Sequence, residues 1–143
     1  MEKFKFLPHT ADIKFRAFGD SLENCFKNAS YALKEIISKD KVKNKIKKQI
    51  KLKGRDFESL LYNFLEEFLF LFETKGFLLG KINKIQILKN FDGDKEKDLE
   101  LNAEISGDKG KYKFENHVKA ITYHEMFVKL DKNKYVCQVI VDV

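Results

Sequence analysis

Tryptophan is absent from these 143 residues, proline occurs once, and there are only two cysteines and two arginines. Each scarcity narrows what the chain can be. Cys25 and Cys137 form no C-x-x-C pair and sit among apolar neighbours, so two buried thiols in a reducing compartment are expected. Arg16 and Arg55 are the only arginines. Bidentate readout of phosphate or guanine favours arginine over lysine, which argues against sequence-specific nucleic-acid recognition by this chain alone. No glycine-rich phosphate loop, zinc spacing or nucleophile elbow occurs. The opening MEKFKFLPH has no apolar signal core, so a cytoplasmic protein is expected. The heaviest apolar run is broken by Asn63, Glu66 and Glu67, which rules it out as a membrane span.

What is present fits a folded domain. Hydrophobic residues make up 43% and charged residues 35%, a balance that suits one core in a single domain over 1–143. The 14 phenylalanines predict a Phe-rich interior. A net charge of +6 is compatible with an anionic partner without requiring one.

The centre of the fold is expected at 56–74, DFESLLYNFLEEFLFLFET. Phe57, Leu60, Leu61, Phe64, Leu65, Phe68, Leu69 and Phe72 recur at steps of three and four, the period of a helical face. Asp56 suits the N-cap and Gly76 a left-handed stop. Tyr62, Phe70 and Leu71 lie off the stripe, so more than one side of this helix should be covered.

Around it the chain alternates between strand and helix patterns. Phe4 and Phe6 predict a short first strand ended by Pro8, and 13–18 a second. A helix follows to about Ser38, with Asp20 or Ser21 as cap and Glu23 completing a box with Asp20. Residues 39–45 form a lysine-rich connector. The stretch 46–53 reads as a strand with one wet face, an edge guarded by lysine. Residues 77–88 predict another strand, and 90–97 a loop. Residues 99–105 predict a strand that turns at 107–110 into a hairpin with Tyr112 and Phe114. The last strand runs from Tyr135 to Val143. These elements make an α+β domain, two helices packed on mostly antiparallel sheets of about six to seven strands.

Three polar groups interrupt β patterns: His9 with Asp12; Lys119, Thr122 and His124; and Asp142 in an otherwise apolar end. A carboxylate in such a strand needs a partner or a metal to offset desolvation. Two carboxylates plus a terminal carboxylate or a backbone carbonyl suit a hard cation, although a frayed, solvated end would explain Asp142 equally well. His124 is a candidate general base, but no serine or cysteine nucleophile stands out with it.

The same segments resemble the archease family over nearly the whole chain. The resemblance rests on His9-Thr10-Ala11-Asp12, Leu22 to Leu33 after Gly19, Ser59 to Phe72, Val118 to His124, and the ending Val139 to Val143. It implies a non-enzymatic, chaperone-like accessory protein for the GTP- and metal-dependent ligase that joins tRNA exon halves. That role is to promote guanylylation of the ligase histidine and multiple turnover, with tRNA touched indirectly through the ligase and no membrane involved. The family's metal site carries over to Asp12, Asp142 and Val143, for calcium first, with magnesium or manganese as alternatives. His9, Lys119, Thr122 and His124 fall where residues bordering that site would lie. The carboxylates would meet if the first and last strands lay side by side, giving a tip suited to the ligase's nucleotide site. Lys14 stands where the family often has a small residue, Glu125 where Asp is common, and Tyr135 where the closing hairpin often has Trp. Two other classes compete: a stand-alone metal-dependent hydrolase using His124, and an RNA-binding chaperone module using Lys39 to Lys53.

Overall fold

The computed structural model describes residues 2–92 and 95–143. In chain order, β1 (Phe4–Leu7) and β2 (Asp12–Gly19) precede α1 (Leu22–Ile37). Then come β3 (Ile46–Gly54), α2 (Phe57–Lys75), β4 (Leu78–Asp92), β5 (Lys95–Asp108), β6 (Ala120–Asp131) and β7 (Lys134–Asp142). One sheet has the order β1-β2-β7-β6 and the other β3-β5-β4, all pairs antiparallel. Both helices touch both sheets: α1 packs on β1, β2, β7 and β4, and α2 on β6, β3, β4 and β5. The helix pair is therefore a shared core element, which explains why a single stripe cannot account for α2's apolar content.

Helix α2 forms where its pattern demands. The Ser59 amide donates to Asp56 Oδ1 at 2.7 Å, and Ser59 Oγ accepts from the Asp56 amide at 3.1 Å, a reciprocal cap. Gly76 ends the helix at φ 66°, a conformation glycine adopts without Cβ strain. Leu60, Leu61, Phe64 and Leu65 are fully buried. Phe64 meets Phe68 edge-on at 4.9 Å and Phe26 of α1 face-on at 6.2 Å.

At α1 the cap is Ser21, whose Oγ accepts from the Asn24 amide at 3.1 Å. The Asp20–Glu23 box is not formed, because Glu23 Oε2 accepts instead from the Ile87 amide on the open edge of β4 at 3.4 Å. That edge also has its Ile82 amide on Tyr31 Oη, and the edge of β6 has its Val128 amide on Glu58 Oε1. Side chains of the helices thus cap outward-facing amides that would otherwise template strand addition. Strand β3 is an edge of its sheet, as expected, with Lys47, Lys51 and Lys53 exposed. Cys25 and Cys137 are both fully buried. The Cys25 thiol donates to the Ala17 carbonyl at 3.5 Å. A hydrogen bond with Cys25, reinforced by burial, pushes the Cys137 thiol well up, so it stays protonated and unreactive.

Two further expectations fail. The 90–97 loop is largely strand, since β4 and β5 extend to Asp92 and from Lys95; Gly93 and Asp94, placed in that loop, lie outside the described residues. The hairpin through Tyr112 and Phe114 does not form either. Residues 109–119 cross irregularly from one sheet to the other. They are held by α1's C-terminal end and the connector after it: the Glu115 amide donates to Ile37 O, Asn116 Nδ2 to Ile36 O, and Ser38 Oγ to Lys113 O. The alternating Lys-Tyr-Lys-Phe pattern copies a strand, but its backbone partners belong to α1 and that connector.

Candidate functional site

Asp12 opens β2 directly opposite Asp142, the last residue of β7. Directly opposed residues point to the same face, with Cα atoms roughly 4.5–5.5 Å apart, so one cation can reach both carboxylates. The neighbour of the last strand is the second strand, not the first as expected; β1 lies outside β2. On its other side Asp142 faces Ala120 of β6. The Lys119 amide donates to the Asp142 carbonyl at 2.8 Å, and the Thr122 hydroxyl donates to the Ile140 carbonyl at 2.8 Å. Lys119 and Thr122 therefore fix the backbone that carries Asp142. Ala11, immediately before Asp12, sits in the left-handed region at φ 66°, a strained placement of the kind that gathers at functional sites.

A polar network buttresses Asp12. His9 Nδ1 lies 3.5 Å from Asp12 Oδ2, and His9 Nε2 lies 3.5 Å from Glu125 Oε2. Lys14 Nζ reaches Glu125 Oε1 at 3.1 Å. His124 joins through Glu125, its Nε2 3.5 Å from Oε2, with 72% of its side chain exposed. Lys14's hydrogen bond and charge hold the Glu125 carboxyl below the usual range, helped by His9 and His124. Glu125 is at φ 54° within an irregularity that interrupts β6–β7 pairing between Thr122 and Phe127. That irregularity turns Glu125 toward His9. As site members Lys14 and Glu125 escape sequence reasoning, which met them only as two departures from the family pattern. The two form an ion pair across 111 positions.

The donor set fits a hard cation. Asp142 is half-buried, and among the described residues its carboxylate has no hydrogen bond or ion pair. His9 Nδ1 is buried without a hydrogen-bond partner. Two oxygen-bearing side chains on adjacent strand ends, with the backbone oxygens of half-buried Val143 one residue on, are the ligands calcium and magnesium accept. Among the described residues no three His, Cys, Asp or Glu side chains converge as a metal cluster, so side chains alone leave most coordination positions to backbone and water.

Beside this end, Lys119 to Ile121 and the α2 residues Asn63, Glu66, Phe70 and Glu73 line an open groove of about 560 Å³. Tyr62 and Tyr123 stack at 4.3 Å and 7° across the same two elements. Burial first pushes both phenols up.

The sequence matches the model of the Archease protein family over residues 4–143. The chain belongs to the archease family. Archease of Pyrococcus abyssi is 37% identical over 148 residues, and that of Sulfurisphaera tokodaii 36% over 147, each match spanning all of both chains. Methanobacterium thermoautotrophicum protein 1598, solved in solution, aligns over all of both chains with a TM-score of 0.80 and 29% identity. The crystal structure of a Thermotoga maritima archease, described as a possible chaperone, aligns over 97% of this chain and 96% of that one, with a TM-score of 0.63 and 22% identity. This last likeness is one of fold. Among the described residues of this chain, no helix is long and apolar enough to cross a membrane.

Proposed function

We propose that this protein is a cytoplasmic activator of the GTP- and metal-dependent RNA ligase that joins tRNA exon halves, promoting guanylylation of the ligase histidine and repeated turnover. The observation that supports this best is the register of Asp12 against Asp142 in a member of the archease family. Asp12, Asp142 and the backbone of Val143 would hold a divalent cation, calcium first. When bound, that cation neutralises the facing carboxylates and offers a hard acid to phosphate oxygens. The chain's own residues do the positioning. His9 sits against Asp12, Glu125 holds the far nitrogen of His9, and Lys14 holds Glu125. The Lys119 amide fixes the Asp142 backbone. The result is an ordered acidic tip on a rigid sheet end, the property a partner-entering element needs.

The test is ligation of a split tRNA with RNA in large excess over the cognate ligase. Adding this protein is expected to convert a single-turnover burst into sustained product formation, and Asp12→Ala to remove that effect while leaving circular dichroism unchanged. Full activation by Asp12→Ala would sink the acidic-tip mechanism.

A further inference from the structure

Charge is distributed unevenly along this chain. Residues 39–55 contain nine lysines and arginines and one acid, Asp40, a net +8, while the whole chain nets +6; the rest therefore nets −2. The fold concentrates the cationic segment. Lys39, Lys41, Lys43 and Lys45 are exposed, and the intervening Val42 is buried and anchors them. The Lys43 amide donates to Tyr112 Oη at 3.2 Å and the Lys113 amide to Asp40 Oδ2 at 2.7 Å. These bonds lay the segment after β5 beside the connector, adding exposed Lys109, Lys111 and Lys113. Two acids of this face are already engaged, while Glu35, beside Lys39 and Lys41, and exposed Glu115, beside Phe114, also border it. Asp40 holds the Lys113 amide, and Asp108 accepts from Tyr112 Oη at 2.6 Å and from the Lys109 amide at 2.9 Å. Among the described residues, the lysine ion pairs use Lys14, outside this segment, and Lys51 within it; none uses Lys39, Lys41, Lys43, Lys45, Lys109, Lys111 or Lys113. The same crossing segment presents Phe114, 54% exposed, with its ring edge-on to Phe72 at 5.1 Å. An exposed aromatic, missing from 39–53 itself, is thus supplied from a distant part of the sequence.

We propose that this face binds single-stranded RNA through its phosphates, with Phe114 as a stacking plane and without base-specific readout. Lysine is a compact point charge suited to phosphate but not to base recognition, and single-strand sites combine a basic track with exposed aromatic rings. The choice of RNA over an acidic polypeptide rests on that ring and on the ligase reading above.

The experiment is fluorescence anisotropy of a labelled unstructured oligoadenylate RNA with the full chain alone, between 50 and 200 mM salt. Contact with four to six phosphates gives an expected slope of log affinity on log salt of about −3 to −4. The triple substitution Lys43→Glu, Lys45→Glu, Lys111→Glu is expected to weaken binding more than about tenfold and to flatten the slope by about 2. Phe114→Ala should cost about fivefold or more without changing the slope. The same charge change at Lys5, Lys132 and Lys134, which are exposed elsewhere, should have little effect. Absence of binding at 50 mM salt, equal weakening by the two triple variants, or displacement by polyglutamate as effective as by unlabelled RNA would each overturn the proposal, the last in favour of an acidic protein partner. No ligase is present in this assay. Lost ligase activation with intact RNA binding would therefore count against the activator reading alone, and the reverse against this one alone.

Discussion

Helix α2 and the facing ends of β2 and β7 are fixed by opposite means. Along α2, apolar residues are covered from two sheets, the first turn is capped reciprocally by Asp56 and Ser59, and Gly76 closes the last. At the strand ends two carboxylates confront each other, Asp142 without a side-chain partner among the described residues, beside a left-handed alanine. Such a site draws its order from the sheet and returns no stability to it. Stability and function should therefore separate cleanly between the two regions.

The largest expected effect tests the first half of that contrast. Phe64 is fully buried between Phe26 and Phe68, and truncating such a residue costs about 3–5 kcal/mol. Phe64→Ala should lower the urea midpoint accordingly while the folded fraction still activates the ligase. Next is Asp142→Asn. It should reduce activation at least about 100-fold, the upper end of what even an outer-shell change does to a metal site, and leave the midpoint in chelator unchanged or higher. Added calcium at about 100 times its Kd should stabilise the parent chain by about 2.7 kcal/mol and the variant not at all. A variant that lost both stability and activation would show that the two regions are not separable. Smaller again are the helix ends: Asp56→Ala should cost about 1 kcal/mol through the lost cap, and Gly76→Ala about 1 kcal/mol through its left-handed φ, both with activation intact.

The same contrast explains what could be read from the sequence. Helix α2, its caps, the lysine-edged β3 and the apolar final strand follow from local periodicity, because the forces that shape them act between near neighbours. His9, Asp12 and Asp142 stood out as polar residues interrupting β patterns, and the register of β2 against β7 brings Asp12 and Asp142 together. Three features were not legible because each depends on partners far along the chain. The choice of Ser21 over Asp20 as cap, both open from the sequence, goes with Glu23 being drawn to the edge of β4. Residues 109–119 fail to pair as a strand since α1's C-terminal end and the connector supply their hydrogen bonds. Lys14 and Glu125 looked like unrelated departures until β6 and β2 were seen on either side of β7.

That last pair gives the smallest effect and the sharpest test of how the site is held. Lys14's hydrogen bond and charge depress the Glu125 carboxyl in the folded chain. A depressed folded value means the stabilisation is present above the unfolded carboxylate range, near pH 4.3, and is lost as pH falls through the folded value. The difference in urea midpoint between the parent chain and Glu125→Gln should thus be flat from pH 8 to about 5 and shrink at lower pH. The difference is small because nearly half the Glu125 side chain faces solvent. In a Lys14→Met background the Gln penalty should be clearly smaller, since the largest cause of the shift is gone and only His9 and His124 remain. If the Gln penalty persisted unchanged into acid, or were undiminished in the Lys14→Met chain, Glu125 would be held by something other than Lys14. The positioning of His9 and Asp12 would then need a different support.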